Sequence, residues 1–426
     1  MSSAARCLPL RCVKLFGGKR LSSETSVAVE TARTLSCRCL TNQVARFSVS
    51  SQRQADKKLF TPGPLGVSMT VKEAMLRDLG SRDVEFINLV KFIRSRLVEI
   101  SGVSAVDFTS VPIQGSGTFA VEAVFQTAVP RDNSKVLILE NGAYGKRMSK
   151  MCESTSIPYH MESFPEDQCV DLKRVEELLK GDKFSLVSCV HCETSSGVFN
   201  PVQEVGQLVN KVSPGTVYFV DAMSSFGAVP LDFEGGHIDF MVSSANKCMQ
   251  GVPGFSYAVA RRSTLDKCKG NSRSLSLDLY DQNEGLDKNG QFRFTPATHS
   301  MLAFRQAIKE FDEEGGLEGR AKRYKKNHEV LAEGMKRLGF KELLDESVQG
   351  YIITSYCYPS DSNFNFMDFY NRLNDKDQVI YPGKTLDIDC FRIGNIGHLF
   401  PEDMTKLLQC VQDVCRDMNI AIPIKN

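Results

Sequence analysis

No apolar run in the 426 residues reaches the ~18 that a membrane-spanning helix needs. Net charge is nearly absent as well. Lys and Arg total 52 against 51 Asp and Glu, a formal +1, so the strongly basic surface of a nucleic-acid binder is missing. The 14 cysteines are too sparse for a small disulfide scaffold. Cys189 and Cys192 form a C-x-x-C, but no second one completes a metal set, so no metal is expected. The segment Phe184 to His191 reads as a buried strand, which makes Cys189 a small apolar filler. The Gly-Ser-Gly run at 115–117 is not followed by Gly-Lys-Ser/Thr, which excludes a P-loop. Internal repeats are also absent.

Acids are scarce at the start of the chain. Residues 1–58 hold 11 Lys and Arg against 3 Asp and Glu, a local +8, so the remaining 368 residues carry −7. Residues 1–52, rich in Arg and Ser, have the composition of a mitochondrial transit peptide; the alternative is a basic tail on a cytoplasmic protein. The body, in a chain 42% hydrophobic and 24% charged, is that of a globular protein long enough for one large domain and a smaller one.

Apolar runs alternate with helical periodicity through that body. Val136–Leu139, Phe184–Val190, Val217–Asp221, Phe240–Ser244 and Phe255–Ala260 read as strands. Val170–Leu179 and Val202–Val212 read as helices. Strands spaced by helices imply a mostly parallel α/β sheet. Beyond about residue 298 the pattern changes. Helices are expected at Leu302–Asp312, Leu317–Leu338 and Pro401–Asn419, and strands at Gln349–Tyr356 and Val379–Tyr381. Gly315 and Gly316 mark a turn or hinge.

Four features carry chemistry. Gln114-Gly-Ser-Gly-Thr118 opens a helix-like stretch, 119–129; the free N–H groups and hydroxyls there suit a phosphate, and a simple cap by Ser116 or Thr118 serves equally well. Asp221 ends an apolar strand, where α/β proteins bind ligands. Lys247 follows another strand and precedes Gln250-Gly-Val-Pro-Gly254, a candidate Schiff-base amine. Arg392, between Phe391 and Ile393, needs an anionic partner. Together they are what pyridoxal phosphate chemistry requires. An acid keeps the pyridine nitrogen protonated, a lysine holds the cofactor and moves a proton, and an arginine clamps a carboxylate.

Several longer stretches, in order along the body, carry a resemblance. They include LFTPGPL (59–65), QGSGTFAVEAV (114–124), NGAYGKRM (141–148), HCETSSG (191–197), VDAMSSFG (220–227), SSANKCMQGVPGF (243–255), SRSLSLDLY (272–280), VIYPGK (379–384) and CFRIGNIG (390–397). Residues 59–426 resemble the class V aminotransferases, and among them the members that exchange an amino group between an aminophosphonate and pyruvate.

The resemblance implies a fold-type-I enzyme. An arm and a large cofactor-binding domain would span 59–325, and a small α+β domain 326–426. Lys247 would carry the cofactor and Asp221 would meet its ring nitrogen. Ser116, Gly117 and Thr118 would cup its phosphate, Tyr144 would cover the ring, and Thr194 would bond near the ring hydroxyl. Thr295 would reach the cofactor phosphate of a neighbouring subunit, which implies a homodimer with shared sites. Arg392 would bind the substrate anion; whether Arg147 or Arg273 assists is open. Small anionic substrates are implied, with neither nucleic acid nor membrane as partner. Alanine–glyoxylate or serine–pyruvate exchange on the same scaffold is the alternative, and a desulfurase-like lyase using Cys390 a remoter one. Cys192 stands where a Ser is common, and Pro296 follows Thr295.

Overall fold

Strands form where β-branched and aromatic residues run together, and here those runs are apolar on both faces. Val136–Glu140 and Leu186–Val190 are buried at every position, as a sheet covered on both sides demands. The computed structural model describes residues 56–383 and 388–425. The leader expected over 1–52 lies outside them, as does Lys384. The architecture below is that of Lys57–Asn426.

Seven strands make the main sheet: β1 (Phe108–Gln114), β2 (Val136–Glu140), β3 (Tyr159–Ser163), β4 (Leu186–Val190), β5 (Val217–Asp221), β6 (Phe240–Ser244) and β7 (Phe255–Arg261). Their spatial order is β1-β7-β6-β5-β4-β2-β3. The pairs from β6 across to β3 are parallel, while β7 runs antiparallel to both β6 and β1. β1, β4, β5 and β6 therefore point the same way. The loops that leave them, at 115, 191, 222 and 245, open on one edge of the sheet.

Helices α1 (Gly117–Ala128), α2 (Ala143–Ser154) and α3 (Val202–Val212) follow β1, β2 and the loop after β4. The sheet and its helices share one large apolar core. Helix α4 (Thr298–Glu313) is followed by Gly315 and Gly316, both at positive φ, which turn the chain into α5 (Gly316–Leu338). Of the 23 residues of α5, Leu317 packs on the large core, while Leu331 and Met335 belong to a smaller one. The boundary expected at 325/326 thus falls inside a continuous helix.

The smaller core is closed by the antiparallel strands β8 (Ile353–Cys357), β9 (Tyr381–Pro382) and β10 (Cys390–Gly394), in the order β8-β10-β9, and by α6 (Pro401–Asp417). β8 begins four residues later than the periodicity suggests, because Gln349 bridges to Val198 while its side-chain Nε2 donates forward to Gly350 O and Ile353 O. The strand expected at Val379–Tyr381 is two short pieces, Gln378–Val379 and Tyr381–Pro382. The first pairs with Lys58–Leu59 and the second with β10. Helix Val84–Ile100 and strand β1 carry no sequence expectation above. Among the described residues no helix is long and apolar enough to cross a membrane.

Candidate active site

The strand-end loops enclose a cavity of about 200 Å³. Ser116, Gly117, Thr118, Tyr144, Arg147, Asp221 and Lys247 line it, with Cys192, Met223, Ser224, Ser244 and Asn246. Five elements separated by as many as 131 residues thus converge on one space.

Each side chain has a local reason for its place. The loop after β1 is held by Gly115 N donating to Gly254 O at 3.0 Å, and by Ser256 Oγ donating to Ser116 O at 3.1 Å. Ser116 is the N-cap residue of α1, yet its side chain makes no capping bond. The hydroxyl and the first N–H groups of the helix are left for another acceptor. Arg147, one turn into α2, lies over the Tyr144 ring at 5.0 Å and brings Nη1 to 3.4 Å from Thr118 Oγ1.

Asp221 ends β5, and its Oδ1 accepts from Met223 N at 2.9 Å. Burial raises its carboxyl pKa to about 6, against the pull of that bond and of Lys247 and Arg147. Lys247 sits in the turn after β6, pinned by Gly251 N to Ala245 O and Gln250 N to Lys247 O, both 2.7 Å. Desolvation in the cleft lowers the amine pKa to about 8, while Cys248 and Asp221 oppose the shift. Both groups are thus pushed toward their neutral forms, the direction that suits proton transfer near neutrality.

Three expected site residues lie outside the lining. Thr194 is fully buried beside it, and the Tyr144 side chain faces it. Arg392, on β10, donates to Pro382 O through Nε and Nη2 at 3.0 and 2.8 Å, and through Nη1 to Thr194 O at 2.5 Å. Among the described residues no carboxylate pairs with it. Thr295 is exposed, its carbonyl accepting from Gln114 Nε2 at 3.2 Å. Of the two secondary arginines only Arg147 reaches the cavity; Arg273 caps Val129 O and Pro130 O at 2.9 Å. Cys390 lies buried on β10, away from the lining.

Two further residues shape the site. Glu193 is fully buried, its Oε1 taking Ser195 Oγ at 2.6 Å and its Oε2 taking Tyr144 N at 3.1 Å. It fixes the start of α2 and hence the Tyr144 ring. His191 Nδ1 lies 3.0 Å from Ser225 Oγ, and burial pushes its pKa to about 4, so the ring is neutral at pH 7. The sequence signal for both is a run of polar residues, 191–196, following a strand without the Gly and Pro of an exposed loop.

The donor set fits pyridoxal phosphate. An uncapped helix start with two hydroxyls suits a phosphate, a buried acid suits a protonated ring nitrogen, and a desolvated lysine suits an aldehyde. A parallel-centred sheet with that acid and that lysine at the ends of neighbouring strands defines a fold-type-I pyridoxal phosphate enzyme. Within that class the chain belongs to the class V aminotransferase family, whose profile matches residues 69–358.

The 2-aminoethylphosphonate–pyruvate transaminase of Phocaeicola vulgatus is 47% identical over 361 residues, covering 84% of this chain and 99% of that protein. The bifunctional phosphonoacetaldehyde hydrolase/aminoethylphosphonate transaminase of Clostridioides difficile is 47% identical over 359 residues; the match spans 84% of this chain but 56% of that longer protein. Among solved structures, an alanine–glyoxylate aminotransferase from Nostoc sp. superposes with a TM-score of 0.79 at 24% identity, covering 87% of this chain and 98% of its own. At that identity the likeness establishes the fold.

Proposed function

We propose that the protein transfers the amino group of 2-aminoethylphosphonate to pyruvate, giving phosphonoacetaldehyde and L-alanine, with pyridoxal phosphate as cofactor. The observation that carries this reading is the desolvated Lys247 amine in one cavity with Asp221 and an uncapped helix start. The relatives' shared activity supplies the substrate pair.

When bound, the cofactor supplies an electron sink for the bond broken beside the substrate nitrogen. The chain's own residues do the rest. Ser116, Thr118 and the first N–H groups of α1 bind the phosphate. Asp221 holds the proton on the ring nitrogen. Tyr144 covers one face and excludes water, kept there by Glu193. Lys247 Nζ, with its pKa near neutrality, takes up a proton and returns it within the cleft. Arg392 and Arg147, neither paired with a carboxylate among the described residues, supply positive charge for anions. Arg392 serves the substrate anion.

Both substrates are small anions that use one site in turn, so the kinetics are ping-pong. A panel of amine donors with pyruvate, followed by alanine formation, tests the reading. Aminoethylphosphonate should be the preferred donor by kcat/KM. Turnover with serine, or with a glyoxylate-linked pair, but not with aminoethylphosphonate would move the assignment to the alternative exchange.

The site is completed by a second copy of the chain. Thr295 is exposed beside Phe294, and Phe119 beside Thr118 is exposed too, at 43% and 47% for the two aromatics. Gln114 joins the two segments through Phe294 O and Thr295 O. An apolar, solvent-facing rim at the mouth of the cavity is what a partner subunit would cover.

A further inference from the structure

Lys247 Nζ donates to the main-chain carbonyl of Pro62 at 2.7 Å. The next residue, Gly63, has φ +124°, a conformation that side chains rarely adopt. A Cβ placed on it would fall 2.7 Å from both Cδ and Nζ of Lys247 and 2.9 Å from Cε. Backbone conformation therefore favours glycine at 63, and a Cβ there would have to push the end of the Lys247 side chain off its carbonyl.

The segment that brings this carbonyl is anchored in the C-terminal layer. Phe60 is fully buried in the smaller core. Phe60 N donates to Val379 O at 2.8 Å, Gly394 N to Phe60 O at 3.0 Å, and His398 N to Gly66 O at 2.9 Å. Lys58 pairs with Asp403 at 2.9 Å, and Thr61 Oγ1 closes the turn on Pro64 O at 2.8 Å. The lysine itself rises from the large sheet. One layer supplies the amine and another the acceptor.

We infer that Thr61–Pro64 is a main-chain saddle whose Pro62 carbonyl positions the Lys247 amine, and that Gly63 is the positioning residue that permits the approach. The inference rests on the reading of Lys247 given above. A lysine side chain freed from its cofactor has many rotamers. A single acceptor at hydrogen-bond distance selects one, so the amine returns to the same place at each turnover. The other groups whose charge reaches the amine are Asp221, Cys192, Cys248 and Arg147. None of them is a main-chain acceptor, and the saddle acts independently of their titration.

The test uses the full chain with glycolic acid in place of Gly63, which turns the Pro62–Gly63 amide into an ester. The carbonyl becomes a poorer acceptor and no Cβ is added. Gly63→Ala is made beside it, and urea unfolding is measured on both. The ester enzyme should lose about tenfold in kcat, the scale of one weakened hydrogen bond, with KM for the amine donor within about twofold. A protonated amine gains more from the carbonyl than a neutral one does. The acid limb of kcat, and of the rate at which cofactor-free protein captures added pyridoxal phosphate, should therefore move to lower pH. Gly63→Ala should capture the cofactor at least tenfold more slowly, on the same argument. If Gly63→Ala unfolds, the ester decides. Wild-type kcat and wild-type pH limbs in the ester enzyme overturn the saddle. Lys247→Ala separates the two ideas: a visible cofactor band retained there defeats the reading of Lys247 itself, whereas its loss beside an unaltered ester enzyme defeats only the saddle.

Discussion

At the scale of single residues, the site keeps two ionisable groups where water would not, and the cost shows in the protein without its cofactor. Asp221 has its pKa raised from 3.8 to about 6 by burial. Between those values the unfolded chain releases its proton before the folded one does, so stability falls as pH rises through the window. By linkage the loss reaches up to ~3 kcal/mol above pH 6. Asp221→Asn removes it. Cofactor-free Asp221→Asn should melt higher than wild type at pH 7.5, with the gap closing toward pH 4; equal melting curves at both pH values would sink the argument, although the variant should be a poor enzyme. The residues best legible from sequence were of this kind. Asp221 ends one apolar strand and Lys247 comes just after another, the sheet edge where α/β proteins bind ligands, and both line the one cavity. Pro62 was silent, because a main-chain carbonyl has no letter of its own. Arg392 was legible as a buried cation, but its carbonyl partners Pro382 and Thr194 lie in other segments.

At the scale of elements, the strands were legible where they were short and apolar throughout. Val217–Asp221 and Phe240–Ser244 begin and end where the pattern places them, and helix α3 does too. Their order in space was not, since β7 pairs antiparallel between β1 and β6 through contacts no local pattern encodes. Close packing of a helix on its neighbours is equally hidden. Gly206 lies in α3, and a Cβ there would fall 1.8 Å from Gly236 O and 2.8 Å from the Tyr218 ring. Alanine is the better helix former by ~1 kcal/mol, so propensity alone predicts stabilisation. A backbone oxygen cannot give way as a side chain can, and the clash decides the sign. Gly206→Ala should lose at least ~2 kcal/mol in urea unfolding, with kcat per folded molecule unchanged. A midpoint at or above wild type would show that α3 can shift as a unit.

At the scale of the whole molecule, the body carries a net −7 while its proposed substrates are anions. Attraction must be local, from Arg147, Arg392 and a helix start, and a partner subunit adds to it if Thr295 reaches across. That arrangement makes a mixing experiment informative. If the proposed dimer shares its sites, Lys247→Ala and Thr295→Ala dimers should each be impaired at both. In a hybrid, the Thr295→Ala chain keeps its lysine and receives an intact Thr295 from its partner, so one site is whole. Mixed subunits should recover tight cofactor binding and up to half the wild-type activity in the hybrid fraction. Recovery no greater than the sum of the two parents would place Thr295 outside the shared site.

Lys58 pairs with Gln378 across 320 residues of chain. During synthesis at roughly 5–20 residues per second, the saddle leaves the ribosome some 15–60 s before the strand that will hold it exists. The large sheet and its lysine can assemble in that interval, but with the cleft uncapped on one side. A ribosome stalled short of residue 378 would display the reactive amine without the carbonyl that disciplines it.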